Sequence, residues 1–217
     1  MKKLFFTIFS ALCLFGFVGC LDIVEELTVN KDGSGHYVST LDAVKMSEQM
    51  ALFASMDSTG EMIPKMKNTM DSSFLVTSLA IKEIKGISNF NLDTSKAYVY
   101  IISYDFKDIE TLNKALGAGK GAEQQKIYAW EKGKITRKDV PLSVGDLNLQ
   151  DDSQKEMMKG FMADMKYKVI YNLPGKVKNA TNKSFVLSED KKILKLDTNF
   201  SDIMDGKIKL GGEVSYK

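Results

Sequence analysis

The sequence predicts an α+β fold in which hairpins build an antiparallel sheet and helices pack on one face of it. Segments of alternating apolar and polar residues, separated by turn signals, are typical of short strands joined as hairpins. Apolar residues spaced three and four apart indicate helices between them. Strands and helices do not alternate regularly, as they would around a parallel sheet. Of 217 residues, 44% are hydrophobic and 27% charged, a composition typical of a globular domain.

The first 19 residues have the composition of a secretory signal peptide. Lys2 and Lys3 precede an apolar run over Leu4–Val18, and the small residue Gly19 stands before Cys20. This run is shorter than the about 20 apolar residues of a membrane-spanning helix. The segment FVGC that ends at Cys20 resembles the lipobox of bacterial lipoproteins. We therefore expect Cys20 to be acylated and to begin the mature chain; the alternative is an ordinary signal peptide with a coincidental cysteine.

Two predicted units follow, a signal peptide over residues 1–19 and a single domain over residues 20–217. The domain has no cysteine besides Cys20, which argues against a disulfide, a zinc site or a thiol nucleophile. Without Lys2 and Lys3 the 30 basic side chains become 28, equal to the 28 acidic ones, and this balance argues against a nucleic-acid partner. Acyl chains such as palmitate would anchor the domain on the exported side of the cell envelope, as a periplasmic or outer-membrane lipoprotein.

The mature chain begins with a predicted hairpin. Strand patterns over residues 23–30 and 37–41 flank an Asp-Gly turn at residues 31–35. From Ala43 the apolar spacing changes to three and four, which predicts a helix over residues 43–56. Met62, Met66 and Met70 predict a second helix, over residues 61–72 and into the 70s.

The rest of the chain continues this mixture of strands and helices. Residues 84–92 and 97–106 are predicted strands, the second of them central because it is almost continuously apolar or aromatic. A short helix is expected over residues 108–116, with Asp108 as its N-cap and Gly117 as its end. The later predicted elements are a hairpin around Lys132-Gly133, a helix over residues 152–165, and strands over residues 166–173, 185–188, 193–200 and 207–216.

Two segments resemble known lipoproteins. LTVNKDGSGHY, over Leu27–Tyr37, is similar to the opening of a group of bacterial lipoproteins. VIYNLPGKV, over Val169–Val177, with Asn179 and a late charged hairpin after it, resembles the closing part of LppM-like lipoprotein domains. The resemblance implies an exported α+β domain and provides no catalytic residues.

No catalytic constellation is predicted. His36 is the only histidine, so histidine-based triads and metal sites lack partners. Glu25 and Glu26 are neighbours on a strand and point to opposite faces, so they are not expected to cooperate. We therefore predict no catalytic residues, no metal and no cofactor. A carboxylate-dependent envelope hydrolase is the alternative interpretation.

Methionine-rich helical faces and an aromatic strand suggest a binding role. Methionine fills irregular cores or adaptable surfaces, and copper(I) binding by thioethers is the other interpretation of these faces. If the helices leave the aromatic strand partly uncovered, an apolar cleft opens that would accept a lipid chain or an apolar segment of a partner protein. The predicted function is a non-catalytic, membrane-tethered envelope lipoprotein that binds another protein or an amphipathic ligand. The candidate binding residues are Tyr98, Tyr100, Tyr104, Met50 and Phe53.

Overall fold

A computed structural model describes residues 21–54, 60–118, 126–139 and 165–217, with only the backbone for residues 49, 50, 52–54 and 62. The fold is α+β, as predicted, and its strands form two mainly antiparallel sheets. The strands are β1 (Asp22–Val29), β2 (Gly35–Asp42), β3 (Ile87–Asp93), β4 (Val99–Phe106), β5 (Tyr128–Glu131), β6 (Lys134–Arg137), β7 (Lys166–Asn172), β8 (Val177–Ala180), β9 (Val186–Leu187), β10 (Ile193–Asn199) and β11 (Gly212–Tyr216). The helices are α1 (Val44–Ala54), α2 (Met62–Lys82), α3 (Ile109–Leu116) and α4 (Phe200–Met204).

The larger sheet has seven strands in the order β3-β4-β2-β1-β7-β10-β9. Its strand pairs are antiparallel except β1 and β7, which run parallel at the centre. The inward face of this sheet carries the largest fully buried side chains, including Tyr100, Tyr104 and Phe106 of β4. The predicted strongly apolar strand is present with one parity buried, but β4 lies second from one edge of the sheet and not at its centre.

The predicted β1–β2 hairpin is present. Asn30 donates its backbone N–H to the carbonyl of Ser34 at 2.7 Å, and the Asp32 carboxylate accepts from the backbone N–H of Ser34 at 3.1 Å. Gly33 closes the turn at φ +86°, in the left-handed region that glycine adopts without strain. A Cβ at Gly33 would lie 2.9 Å from the Trp130 ring, so the turn also packs directly on the second sheet.

The smaller sheet has four strands in the order β5-β6-β11-β8. Aromatic rings contact each other between the two sheets: those of Tyr128 and Tyr171 meet edge to face with centroids 6.3 Å apart. An ion pair also joins the two sheets. Arg137 Nη1 on β6 donates to Glu25 Oε2 on β1 at 2.8 Å, and Tyr167 on β7 donates its O–H to Glu25 Oε1 at 2.6 Å.

The helices α1, α2 and α3 agree with predicted helices in position, and α2 is longer than predicted. α2 runs to Lys82, beyond the methionine-spaced segment, because Phe74 and Ile81 continue its packed face. α3 begins as predicted, with the Asp108 carboxylate accepting the backbone N–H of Thr111 at 2.8 Å, and Gly117 is its C-cap. The predicted helix over residues 152–165 lies outside the described residues, apart from the buried Met165.

Several boundaries differ from those predicted. β8 and α4 were not expected, because four or five residues of mixed polarity give no periodic signal. β3 begins at Ile87 because the backbone before it turns, with Ile87 N–H bonded to the carbonyl of Ile84. β11 begins at Gly212, because the carbonyls of Lys209 and Gly211 before it accept hydrogen bonds from Asn182 Nδ2 and do not pair with a neighbouring strand.

Candidate functional site

A cleft of about 260 Å³ opens between α2 and the start of β4. Its apolar wall combines Leu75 of α2 with Leu92, Ala97 and Val99 of the β3–β4 region. The polar side chains on its rim are Lys67, Asp71, Thr94 and Lys96, and two tyrosine rings, Tyr98 and Tyr100, complete the lining.

Tyr100 holds α2 against the sheet beneath this cleft. Its ring stacks on Phe74 with centroids 4.3 Å apart, and its O–H donates to Asp71 Oδ1 at 2.6 Å. The ammonium of Lys67 donates to the other oxygen of Asp71, and the two hydrogen bonds hold the pKa of the Asp71 carboxyl below its usual range. Burial, and then the Asp71 carboxylate, raise the pKa of Tyr100 well above its usual value. Tyr100 is therefore a neutral donor at physiological pH.

Tyr98 adopts a left-handed backbone conformation at the mouth of the cleft. Its φ is +62°, an uncommon value for a residue that is neither glycine nor asparagine. The carbonyl of Tyr98 accepts the backbone N–H of Ala43 at 2.8 Å, which fixes the residue before β4 begins. Such conformations cost about 1–3 kcal/mol and concentrate at functional sites.

The structure brings together two of the predicted binding residues, Tyr98 and Tyr100. Tyr104 lies elsewhere in the core, 1% exposed, with its ring 5.5 Å from that of Tyr37. The side chains of Met50 and Phe53 lie outside the described residues, although their backbone belongs to α1. Cys20 and the predicted signal peptide also lie outside them.

The apolar surface continues along α2 beyond the cleft. Leu75, Val76 and Leu79 are 53%, 62% and 55% exposed, on consecutive turns of one helix. Leu75 belongs both to this exposed stripe and to the wall of the cleft. An occupant of the cleft would therefore find more apolar surface along α2.

A second cleft, of about 370 Å³, lies at the opposite end of the β2–β4 pair and is polar. Its main feature is His36, whose Nδ1 lies 2.6 Å from Asp105 Oδ1. Asn89, in a bulge of β3 at φ +48°, donates to Asp105 Oδ2 at 2.6 Å. These hydrogen bonds, that from Asn89 first, hold the pKa of Asp105 below its usual range. Thr28 lies beside His36 on the neighbouring strand.

Sequence reasoning missed three groups of partners. Asp71 and Lys67 on α2 gave no signal, because their contact with Tyr100 depends on tertiary packing. Asp105 faces His36 only through the register of β2 and β4. Arg137 did leave a signal, since it is the only arginine in the sequence. Glu25 and Glu26 separate as predicted, with Glu25 bonded to Arg137 and Glu26 accepting from Asn172 at 2.6 Å.

Two kinds of feature are absent from the part of the chain that the structure describes. It holds no cluster of three or more histidine, cysteine, aspartate or glutamate side chains placed to bind a metal ion. It also holds no helix with the length and hydropathy of a membrane span.

Comparison with known proteins identifies solved structures that are similar to this chain. The chain is similar to the folded domain of LppM from Mycobacterium tuberculosis, solved by NMR, with a TM-score of 0.40, 9% sequence identity, and coverage of 94% of this chain and 93% of that one. LppM is also the protein after which the domains that the two ends of the sequence resemble are named. No family model matches the chain, and no curated protein does.

Proposed function

We propose that this chain is an exported lipoprotein, anchored through acylated Cys20, whose α2–β4 cleft binds the apolar part of a lipid. The observation that carries the binding role is the cleft itself, with apolar walls from Leu75, Leu92 and Val99 and a charged rim. Apolar walls with a few polar groups at the mouth suit a molecule with one apolar and one polar end. Pockets that enclose a whole small ligand measure about 300 Å³ or more. A cleft of about 260 Å³ therefore suits a segment of an acyl chain.

The anchor is tested by metabolic labelling. Cells grown with labelled palmitate should incorporate the label into the wild-type protein, and Cys20→Ser should lose it and leave the precursor uncleaved. Cys13→Ser is the matched control, since this residue lies inside the predicted signal peptide and should leave labelling unchanged. Label that persists in Cys20→Ser would refute the anchor.

The binding role is tested by titrating the protein with a dansyl-labelled fatty acid. Leu75→Gln and Val76→Gln form a matched pair, because both residues are exposed on α2 and only Leu75 lines the cleft. Partial loss of one leucine's buried apolar area is worth about 1 kcal/mol, or roughly fivefold in affinity. We expect that loss for Leu75→Gln and none for Val76→Gln. Equal losses would place the ligand on the exposed stripe, and no binding by the wild type would refute the proposal.

Tyr98→Asn separates binding from stability. Asparagine tolerates the left-handed conformation better than tyrosine, so the free energy of unfolding should not fall. Removal of the ring from the cleft mouth should weaken binding of the fatty acid. A variant that binds as well as the wild type would show that Tyr98 takes no part in the site.

A second candidate function, an envelope hydrolase, is favoured by the His36–Asp105 pair. An imidazole oriented by a carboxylate through Nδ1 is the base-and-orienter half of a hydrolytic site. The arrangement differs from the pair of cooperating carboxylates considered from the sequence. Hydrolysis of p-nitrophenyl acetate by the wild type that is lost in His36→Gln and retained in Asn91→Gln, a control at an exposed position outside the cleft, would support it. Equal rates in all variants would reject it.

A further inference from the structure

We infer that the end of the seven-stranded sheet at which β1 begins faces the membrane, so that the α2–β4 cleft opens onto the lipids of the bilayer. The inference rests on the proposed acylation of Cys20. It adds to that proposal an orientation of the domain and the source of the ligand.

The tether between the anchor and the sheet is too short for any other arrangement. Leu21 already belongs to the sheet, because its carbonyl accepts the backbone N–H of Lys166 at 3.0 Å. Cys20 is the residue directly before it, and adjacent Cα atoms are about 3.8 Å apart. Acyl chains on Cys20 must enter the bilayer, so the end of the sheet at Leu21 is held at the membrane surface.

The strand register identifies the other residues at this end. Asp22, the first residue of β1, pairs with Asp42 at the end of β2, and Asp42 pairs with Val99 at the start of β4. The β3–β4 turn, which carries Thr94 and Lys96, precedes Val99 and so lies at the same end. The cleft residues from 94 to 100 therefore lie at the anchored end of the sheet, with β4 two strands away from β1.

The His36–Asp105 cleft lies at the far end. At this end, Val29 is the last residue of β1 and pairs with Gly35 of β2. Gly35 in turn pairs with Phe106 of β4, the residue after Asp105. Seven residue steps along β1 at about 3.3 Å each separate the two ends by roughly 23 Å. The polar cleft would then face away from the bilayer.

The chemistry of the near cleft fits this position. Lysine and tyrosine side chains combine an apolar stem or ring with a polar tip, and such residues are favoured where lipid headgroups meet water. Lys96 and Tyr98 both line the near cleft. Its apolar walls lie beside them, within reach of chains from the outermost lipids. We therefore assign bilayer lipid as the occupant, and a soluble partner protein becomes a competing outcome of the test.

The test uses site-directed fluorescence on the full-length protein purified from bacterial membranes. Acylation blocks the thiol of Cys20, so an added cysteine is the only one open to labelling in the mature chain. Lys96→Cys and Lys107→Cys are matched, since both lysines are exposed, the first at the anchored end and the second at the far end. Each variant is labelled with bimane and reconstituted into phosphatidylcholine vesicles that contain a lipid with a nitroxide on its headgroup.

We expect the label at position 96 to lose most of its fluorescence and the label at position 107 to keep it. Thr94→Cys and Ser88→Cys provide a second exposed pair in case one lysine variant misfolds. Equal quenching at both ends, or quenching at the far end alone, would overturn the orientation. Quenching at neither end, with protein that still floats with the vesicles, would also overturn it. Protein that fails to float would instead refute the acyl anchor, so the two failures are distinguishable.

Discussion

Replacing Arg137 by methionine should destabilise the protein by about 3 kcal/mol, because it leaves the Glu25 carboxylate buried without a counter-charge. Arg137 and Glu25 are only 10% and 17% exposed, and their atoms Nη1 and Oε2 are 2.8 Å apart. Breaking such a pair from one side costs about 3–5 kcal/mol. The hydrogen bond from Tyr167 survives the substitution and continues to stabilise the carboxylate, so we expect the lower end of that range.

Urea unfolding measures this loss. Trp130, the only tryptophan, lies on β5 and reports on the four-stranded sheet, while far-ultraviolet circular dichroism reports on the whole domain. With an m value of about 2 kcal/mol/M, a loss of about 3 kcal/mol lowers the midpoint by about 1.5 M. Lys134→Met on the same strand is the control, since its ion pairs with Glu131 and Glu213 are exposed to solvent and contribute little to stability.

Two further variants separate charge from geometry at this pair. Arg137→Lys keeps the positive charge but loses the planar guanidinium, which stands 5.6 Å from the centroid of the Tyr128 ring, so it should lose about 1–2 kcal/mol. Glu25→Gln combined with Arg137→Met removes both charges and should recover part of the loss. A midpoint shift in Arg137→Met no larger than that of Lys134→Met would refute the view that this ion pair joins the two sheets.

Three other outcomes follow from single contacts. Asp108→Ala should cost about 1 kcal/mol of unfolding free energy in urea, because the N–H of Thr111 loses its cap; an unchanged midpoint would contradict the cap. The pKa of the Asp105 carboxyl is lower in the folded protein than in the unfolded chain, where it is about 3.9. The Asp105 carboxylate therefore stabilises the fold at pH values above about 3.9, and this stabilisation is lost as the pH falls through the pKa of the folded protein. Wild type and Asp105→Asn should therefore differ in stability at pH 7, by about 1 kcal/mol or less for so exposed a pair, and converge in acid; a constant difference would reject the linkage. Gly35→Ala should lower the melting temperature markedly, since its Cβ would clash with the backbone carbonyl oxygen of Thr28 and would lie 2.5 Å from the Phe106 ring; an unchanged temperature would contradict this close approach.

The elements that could be predicted are those with local signals. The β1–β2 hairpin follows from an Asp-Gly turn between alternating runs, and α3 follows from its cap at Asp108. The buried parity of β4 follows from its run of aromatic and branched residues. Each of these signals lies within about a dozen residues, so tertiary contacts only reinforce it.

The division into two sheets depends on contacts that are distant in sequence. The parallel pairing of β1 with β7 joins residues more than 140 positions apart, and no local pattern specifies it. Only part of the candidate site could be predicted, because it too depends on contacts between residues that are distant in sequence. Tyr100 follows from strand parity, whereas Tyr98 precedes β4 in a left-handed conformation that the sequence does not indicate. The helix wall opposite them is Leu75, and among the described lining residues there is no methionine.

The backbone of Tyr98 gives the strongest physical reason to look for function at the near cleft. Among the described residues, three besides glycine have positive φ, namely Asn89, Tyr98 and Lys191. Asparagine tolerates this region, and Lys191 lies in an exposed turn where its N–H bonds to the carbonyl of Ser188. Neither reason applies to Tyr98, and glycine or asparagine at this position would relieve the strain. This strain at an apolar cleft is the observation behind our proposal that the Tyr98 ring contacts the ligand, and Tyr98→Asn tests it.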